Sequence, residues 1–295
     1  MIKIDAIAVK QLRDKTGAGI MDCKNALLEA KGDSKLATEI LNSKGAVAAK
    51  KREDRNPLEG VVGIARDGFE KSAIVEVNVE TDSLAQNADF KSLVSKIAKV
   101  TLSTDGSLSN VLAEPFDHSG VTVEDKINNF IAITGECIKL RRAAVLCAPG
   151  GVISSYVHPS PSDDLGKIGV LVALQSSAKD KKAICSIGDQ IALHIALACP
   201  SVISVQMLDS AIVAKQRAHY MTQALDAGKS GNIVERIVDG KMNNFFKQIV
   251  LTHQDFVVDT SMTVSDFLKA SEKSVGASIK VIGMMHFIMG EEAKD

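Results

Sequence analysis

Glycine punctuation near the start of this chain of 295 residues limits what its first segment can fold into. The run Thr16-Gly17-Ala18-Gly19 interrupts one apolar-periodic stretch, and Gly32-Asp33 interrupts the next. Gly17 suits a helix end in the left-handed conformation that other residues resist, and Asp5 is placed to cap the same helix at its start. Ala6, Val9 and Leu12 then form one apolar stripe, with Lys10, Arg13 and Asp14 toward water. A second helix is expected to stop at Gly32. Asp33 or Ser34 would cap a third, with Leu36, Ile40 and Leu41 on its inner face. No aromatic residue precedes Phe69, so three short helices over residues 1–55 would share a thin core. Such a module suits presenting a surface to a partner and is a poor place for a buried catalytic site.

Beyond it the hydrophobic period changes. Lys50-Lys51-Arg52-Glu53-Asp54-Arg55-Asn56-Pro57 reads as a linker, and a solvated helix end is favoured there over a phosphate contact. Gly60–Ala65 and Ser72–Val79 read as strands around a turn at Asp67-Gly68, followed by a helix from near Asp89 to Thr101 with Phe90, Leu93, Val94, Ile97 and Val100 on one side. About ninety residues on, the order strand, turn, strand, helix recurs: Gly151–Val157, Lys167–Leu174, and a helix from Asp180 to Ala198. Two α+β subdomains side by side follow from this duplication. Residues 207–250 break the rhythm. Leu208, Ile212, Ala218, Met221 and Leu225 fall on one helical stripe, Gly228-Lys229-Ser230-Gly231 is a turn, and Val234, Ile237, Val238, Met242, Phe245 and Ile249 line a second helix. This predicts a helical hairpin projecting from the core.

The fold class expected is therefore α+β. It comprises a three-helix module (1–55), a first core subdomain (56–150), a second (151–206 and 251–290) completed by Val264–Leu268 and the alternating Ile279, Val281 and Phe287, an inserted antiparallel hairpin (207–250) and a tail (291–295).

Composition narrows the function. Formal net charge is −1, unlike the basic excess of a generic nucleic-acid binder. No apolar run reaches the roughly 18 residues of a membrane helix, and no secretory or transit pattern opens the chain, so cytoplasmic residence is the expectation. The five cysteines, Cys23, Cys137, Cys147, Cys185 and Cys199, include no C-x-x-C pair, so reduced thiols, mostly in apolar surroundings, are expected rather than disulfides or a zinc site. The six histidines form no H-E-x-x-H, and no P-loop or nucleophile elbow follows a strand. Gly166-Lys167-Ile168-Gly169 reads as a strand-opening turn. Asp163-Asp164 and Glu124-Asp125 are adjacent carboxylates in polar loops, and adjacency does not make them converge on a metal or a proton. No metal, cofactor or catalytic residue is assigned. An enzyme using Cys185 or His158 would need a paired base that the spacing does not supply.

The segment Leu12-Arg13-x-x-Thr16-Gly17-Ala18-Gly19-x-Met21-Asp22-Cys23-Lys24-x-Ala26-Leu27 resembles the N-terminal signature of the elongation factor Ts family, and Gly32-Asp33 and Ala48-Ala49-Lys50-Lys51 fit it. Ile233–Met242 resembles the protruding coiled-coil motif of that family, as Leu251-Thr252-x-Gln254-x-Phe256-Val257 resembles the return to its core. The resemblance implies a UBA-like N-terminal module and a guanine-nucleotide exchange factor in translation elongation. The implied partner is elongation factor Tu, GDP-bound and nucleotide-free, in a heterodimer or larger assembly, without covalent chemistry, direct nucleic-acid contact or membrane.

It also implies partner-binding residues. Thr81-Asp82-Ser83-Leu84-Ala85-Gln86-Asn87 matches the family's Thr-Asp-Phe loop at Thr81, Asp82, Ala85 and Asn87, but Ser83 stands where relatives carry phenylalanine. That Asp-Phe pair contacts the GTPase near its magnesium site. Ser83 cannot act as the same apolar wedge, which leaves Leu84 or a change in the partner to replace it. His158 matches a partner-facing family histidine, and Arg13, Ile20 and Met21 match module positions that touch the GTPase. Ile20 and Met21 follow an exposed turn, which suits either core residues or an exposed hot spot beside Arg13. The alternative is a helix-binding adaptor of a GTPase with no effect on its nucleotide.

Overall fold

A computed structural model describes residues 4–118, 120–159 and 164–291; Asp163 and tail residues 292–295 lie outside them. The chain opens with helices α1 (Ala6–Thr16), α2 (Ile20–Glu29) and α3 (Ser34–Lys50). Asp5 accepts a hydrogen bond from the Ile7 N–H, and Gly17, at φ 77°, returns its own N–H to the Arg13 carbonyl. Asp33 caps α3. Val9, Leu12, Cys23, Ala26, Leu27, Ala37 and Leu41 form the small core between these helices. Ala6 and Leu36, expected inside, are exposed. Leu36 is held in the first turn of α3, and Ala37 and Leu41 take the inward positions instead.

The core consists of two antiparallel sheets. The first is ordered β3 (Lys139–Cys147), β2 (Lys71–Val79), β1 (Glu59–Asp67), β5 (Leu165–Gly166). The second is ordered β4 (Val152–His158), β6 (Ile168–Ser176), β7 (Ile279–Ile288). Helices α5 (Ala88–Thr101) and α7 (Val123–Thr134) cover the outer face of the first sheet through Phe90, Val94, Ile97 and Ile131 against Val61, Val75 and Val77. Short helix α6 (Leu108–Ala113) packs beside β3. Helices α8 (Lys181–Ala198) and α11 (Val264–Val275) cover the second sheet through Ile184, Ile191, Ile195 and Leu268 against Val170, Val172 and Leu174. The remaining sheet faces meet each other: Val62, Ile64 and Ile74 pack on Ile153, Val157, Leu171 and Ala173. The subdomains thus stack sheet to sheet, and β5, from the second stretch of chain, adds an edge to the first sheet.

The N-terminal module is seated on this core. Asn129 of α7 donates its side-chain N–H to the Asn42 side-chain oxygen at 3.1 Å, and Gly45 packs so closely that an added Cβ would lie 3.1 Å from the Asn128 carbonyl. The linker is tied down as well as solvated: Arg52 Nε donates to the Gly135 carbonyl (2.8 Å), and Arg55 pairs with Glu80 (2.8 Å). Glu124 and Asp125, read as loop residues, occupy the first turn of α7, where the exposed helix N–H groups favour acids.

Helices α9 (Ser210–Asp226) and α10 (Asn232–Ile249) form the hairpin. Val234, Val238 and Met242 of α10 are buried as expected. On α9 the inward face is Val213, Tyr220 and Ala224, whereas Ile212, Met221 and Leu225 are exposed. Ala224 and the Tyr220 ring, with Lys241 Nζ 5.4 Å from its centre, take the inward positions on this helix. Among the described residues no helix is long and apolar enough to cross a membrane.

Candidate functional site

The chain leaves β2 through Thr81, whose extended backbone and side-chain oxygen cap α4 (Asp82–Ala85) by accepting from the Leu84 N–H. Thr81 is itself anchored: its N–H and hydroxyl donate to the two oxygens of the Glu136 carboxylate at 3.0 and 2.7 Å. Neighbouring Glu80 accepts from the Cys137 N–H at 2.6 Å. The Arg55 guanidinium, and then this N–H, hold the Glu80 carboxyl below the usual carboxylate range. Asn87 caps α5 through the N–H groups of Asp89 and Phe90. A helix as short as α4 has little stability of its own, so these attachments at both ends fix where Asp82, Ser83 and Leu84 point.

The three residues face different ways. Leu84 is half-buried against the first core. Ser83 is exposed. Asp82 has a 60% exposed side chain and meets Lys167 Nζ at 3.1 Å. Lys167 in turn donates its backbone N–H to the carbonyl of His158 at 2.8 Å, which brings Asp82 and His158 into one neighbourhood. The His158 ring is exposed and lies 3.4 Å, through Nδ1, from the Tyr156 hydroxyl.

On its other side, α4 borders a cleft of about 900 Å³ between the N-terminal module and the first subdomain. Arg13, Gly17–Asp22, Leu84, Asn87, Lys96, Phe116, Lys126 and Ile133 line it. Ile20 and Met21 are 56% and 63% exposed, so they are surface residues rather than core. At the back, the ammonium groups of Lys96 and Lys126 lie 5.5 and 5.6 Å from the centre of the Phe116 ring. Burial holds the Lys126 ammonium below its ordinary pKa; Asp117 opposes this and Lys96 adds to it. The cleft is open, apolar at Ile20, Met21 and Leu84, and charged around them. Those features suit a protein surface more than a small molecule.

Comparison with known proteins decides the family. The model of the family described as Elongation factor TS matches residues 80–291. A curated protein named Elongation factor Ts from Rhizobium johnstonii is 44% identical over 291 residues, covering 99% of this chain and 94% of the relative. Proteins of the same name from Agrobacterium fabrum and Sinorhizobium medicae are each 43% identical, with 99% and 98% of this chain covered and 94% and 93% of the relatives. The chain belongs to the elongation factor Ts family.

For this family member, the expected residues fall into two groups joined by α4. Arg13, Ile20, Met21 and Leu84 line the cleft; Asp82 bonds the Lys167 ammonium while the Lys167 backbone bonds that of His158; Thr81 anchors the loop and Ser83 is exposed on α4. Glu136, Lys96, Lys126 and Lys167 were not singled out from sequence: Glu136 and Lys167 act on residues 55 and 85 positions away, and Lys96 and Lys126 meet at Phe116 only once α5 and α7 are packed.

Burial holds Cys23, Cys137 and Cys185 above the ordinary thiol range, as expected of most of the cysteines, whereas Cys147 and Cys199 are exposed. Among the described residues no hydrogen bond joins Cys185 to a histidine, and no three His, Cys, Asp or Glu side chains are grouped to hold a metal.

Proposed function

We propose that this chain binds elongation factor Tu carrying GDP and accelerates release of the nucleotide. The observation that carries the reading is the placement of α4, which sets Asp82 on Lys167, itself bonded to the His158 backbone, on one side and Leu84 in the cleft with Arg13, Ile20 and Met21 on the other. A GTPase seated in the cleft would meet the Asp82 carboxylate at the same time. Asp82 would then disturb the magnesium and phosphate sites, as the matched Thr-Asp loop implies, and His158 and the second subdomain would grip another part of the partner. The partnership belongs in the cytoplasm, as a heterodimer or larger assembly, and needs neither nucleic acid nor a membrane.

No bond is made or broken in this reading. Release is faster because factor and nucleotide each weaken the other's hold on the GTPase, a coupling that is necessarily reciprocal. A factor that bound the GDP-loaded and empty states equally would shift nothing. A second reading has one observation in its favour: with Ser83 in place of the family phenylalanine, the chain could dock on the GTPase without the apolar wedge and act as an adaptor.

Release of fluorescent GDP from the cognate elongation factor Tu, chased with excess unlabelled GDP, separates the two. Acceleration that saturates with concentration supports exchange. Complex formation with unchanged release would refute exchange and leave the adaptor.

A further inference from the structure

Asp82 is held in place by a residue that lies 85 positions away in the chain. Its ion-pair partner is Lys167, at 3.1 Å. Lys167 sits between β5 and β6 and makes three further attachments. Its ammonium donates to Glu59, at the start of β1, at 2.6 Å. Its N–H donates to the carbonyl of His158, at the end of β4, and its own carbonyl accepts from the Met289 N–H just beyond β7, both at 2.8 Å. One residue therefore joins the α4 loop, the first sheet and the end of the second sheet. An ammonium has three donors and no acceptor, so a single lysine can hold both carboxylates at once. Burial pulls the Lys167 pKa down, but the hydrogen bonds and charges of Glu59 and Asp82 outweigh it and hold the group above its ordinary value. The charge is thus permanent at neutral pH.

Without this tether, an exposed aspartate on a four-residue helix would sample several rotamers within the complex and lose that freedom only on reaching the geometry that releases nucleotide. With it, the carboxylate is fixed relative to the His158 strand end before any partner arrives. Preorganisation of this kind lowers the cost of reaching the productive geometry.

We infer that Lys167 is the positioning residue of the nucleotide-release reaction: it orients Asp82 and ties it to the His158 strand end, so that both reach the partner in one fixed arrangement. This rests on the exchange reading above.

The test measures GDP release from elongation factor Tu across a concentration series of full-length wild type, Lys167→Met, Lys167→Arg, Asp82→Ala and the Lys167→Met/Asp82→Ala double variant. Lys167→Met is expected to lower the maximal rate roughly three- to five-fold, the scale of a partly exposed ion pair, with the half-saturating concentration unchanged. Lys167→Arg should retain most of the rate. In the Asp82→Ala background, Lys167→Met should cause no further loss. Additive losses in the double variant, a change in half-saturation alone, or a Lys167→Met rate equal to wild type would each overturn the assignment. Lys167→Gln, which keeps the backbone bonds and a polar head, carries the same expectation if the methionine variant does not fold. Wild type that binds but does not speed release would instead overturn the exchange reading, so the two failures are distinguishable.

Discussion

Ser83 is exposed at the tip of α4, with Thr81 and Asn87 fixing the backbone on either side. An aromatic ring there would project into solvent in the free protein and cost the fold little. Ser83→Phe is therefore expected to preserve or raise the maximal rate of GDP release, with thermal stability within about 0.5 kcal/mol of wild type. A folded variant with abolished release would show that this interface has been rebuilt around the serine. A different residue effect is set by His194. It is fully buried, its Nε2 lies 2.9 Å from the Gln254 side-chain oxygen, and its Nδ1 accepts from the Val257 N–H at 3.2 Å. That pair of contacts requires the neutral ring with its proton on Nε2. Burial lowers its pKa, which the Gln254 hydrogen bond only partly opposes. The unfolded chain, with an ordinary value of about 6.5, then binds more protons than the folded one, so this stability is present above about pH 6.5 and is lost as pH falls below it. His194→Leu should cost about 2–4 kcal/mol near neutral pH by stranding two buried polar groups. Thermal unfolding followed down to about pH 5 should show that gap narrowing; a constant gap would mean that His194 does not titrate in this window. Thr81, Asp82 and His158 could be named as candidates from sequence because they match short motifs of the family. Glu136 and Lys167 were not, because neither lies near in sequence to the group it holds.

Elements were legible where one face alone is buried. The N-terminal helices, α5, α8 and α10 all carry a stripe with a clear partner. Strand β3 was missed because Lys139-Leu140-Arg141-Arg142 looks like a solvated run, yet it pairs along β2. The unbroken apolar run Val170–Leu174 marks β6 as a strand buried on both faces, whereas β2 is buried from Ser72 onward although Ser72, Glu76 and Asn78 interrupt its apolar residues; that both faces are covered became plain only from the stacked sheets. Close packing leaves its own mark at Gly188 of α8. A Cβ there would lie 2.7 Å from the Ser154 Cβ and 3.2 Å from Leu174 Cδ1, while Ser154 donates to the Cys185 carbonyl at 2.9 Å. Alanine is the better helix former by about 1 kcal/mol, but the short, strand-borne Ser154 cannot swing aside. Gly188→Ala is expected to destabilise by a net of about 1–2 kcal/mol, measured as a fall in the urea midpoint. A raised midpoint would show that α8 can slide along the sheet.

At the scale of the molecule, the two subdomains are joined by more than the apolar contact between their sheets. A bulge in the β2–β3 pairing at Glu76/Val77 brings both Arg141 and Arg142 to Glu76. Glu76 is fully buried; Arg142 Nε meets its carboxylate at 2.5 Å and Arg141 Nη1 at 4.0 Å. The same groups reach the second subdomain: Arg142 Nη2 donates to the Ile288 carbonyl at 2.8 Å, Glu76 accepts from the Gly290 N–H at 3.1 Å, and the guanidinium lies 4.3 Å from the centre of the Phe287 ring. The clasp holds the end of β7 onto the first sheet. Because the shared core and the clasp both cross between the halves, wild type should unfold in a single cooperative transition. Glu76→Gln leaves a mostly buried guanidinium without its counter-charge. With the Arg142 side chain still 20% exposed to water, the loss belongs at the lower end for a broken buried pair, about 3 kcal/mol, or a fall of roughly 5–10 °C in Tm. Replacing the pair with Glu76→Leu and Arg142→Met should recover part of it, since the apolar contact between the sheets remains and the one charge left unpaired, Arg141, is 26% exposed and 4.0 Å away in wild type. Differential scanning calorimetry decides the matter. One transition that shifts down in Glu76→Gln and partly returns in the double variant fits a clasp acting on a unified core, whereas two transitions in wild type would mean that the halves unfold independently and that the clasp holds only the end of β7.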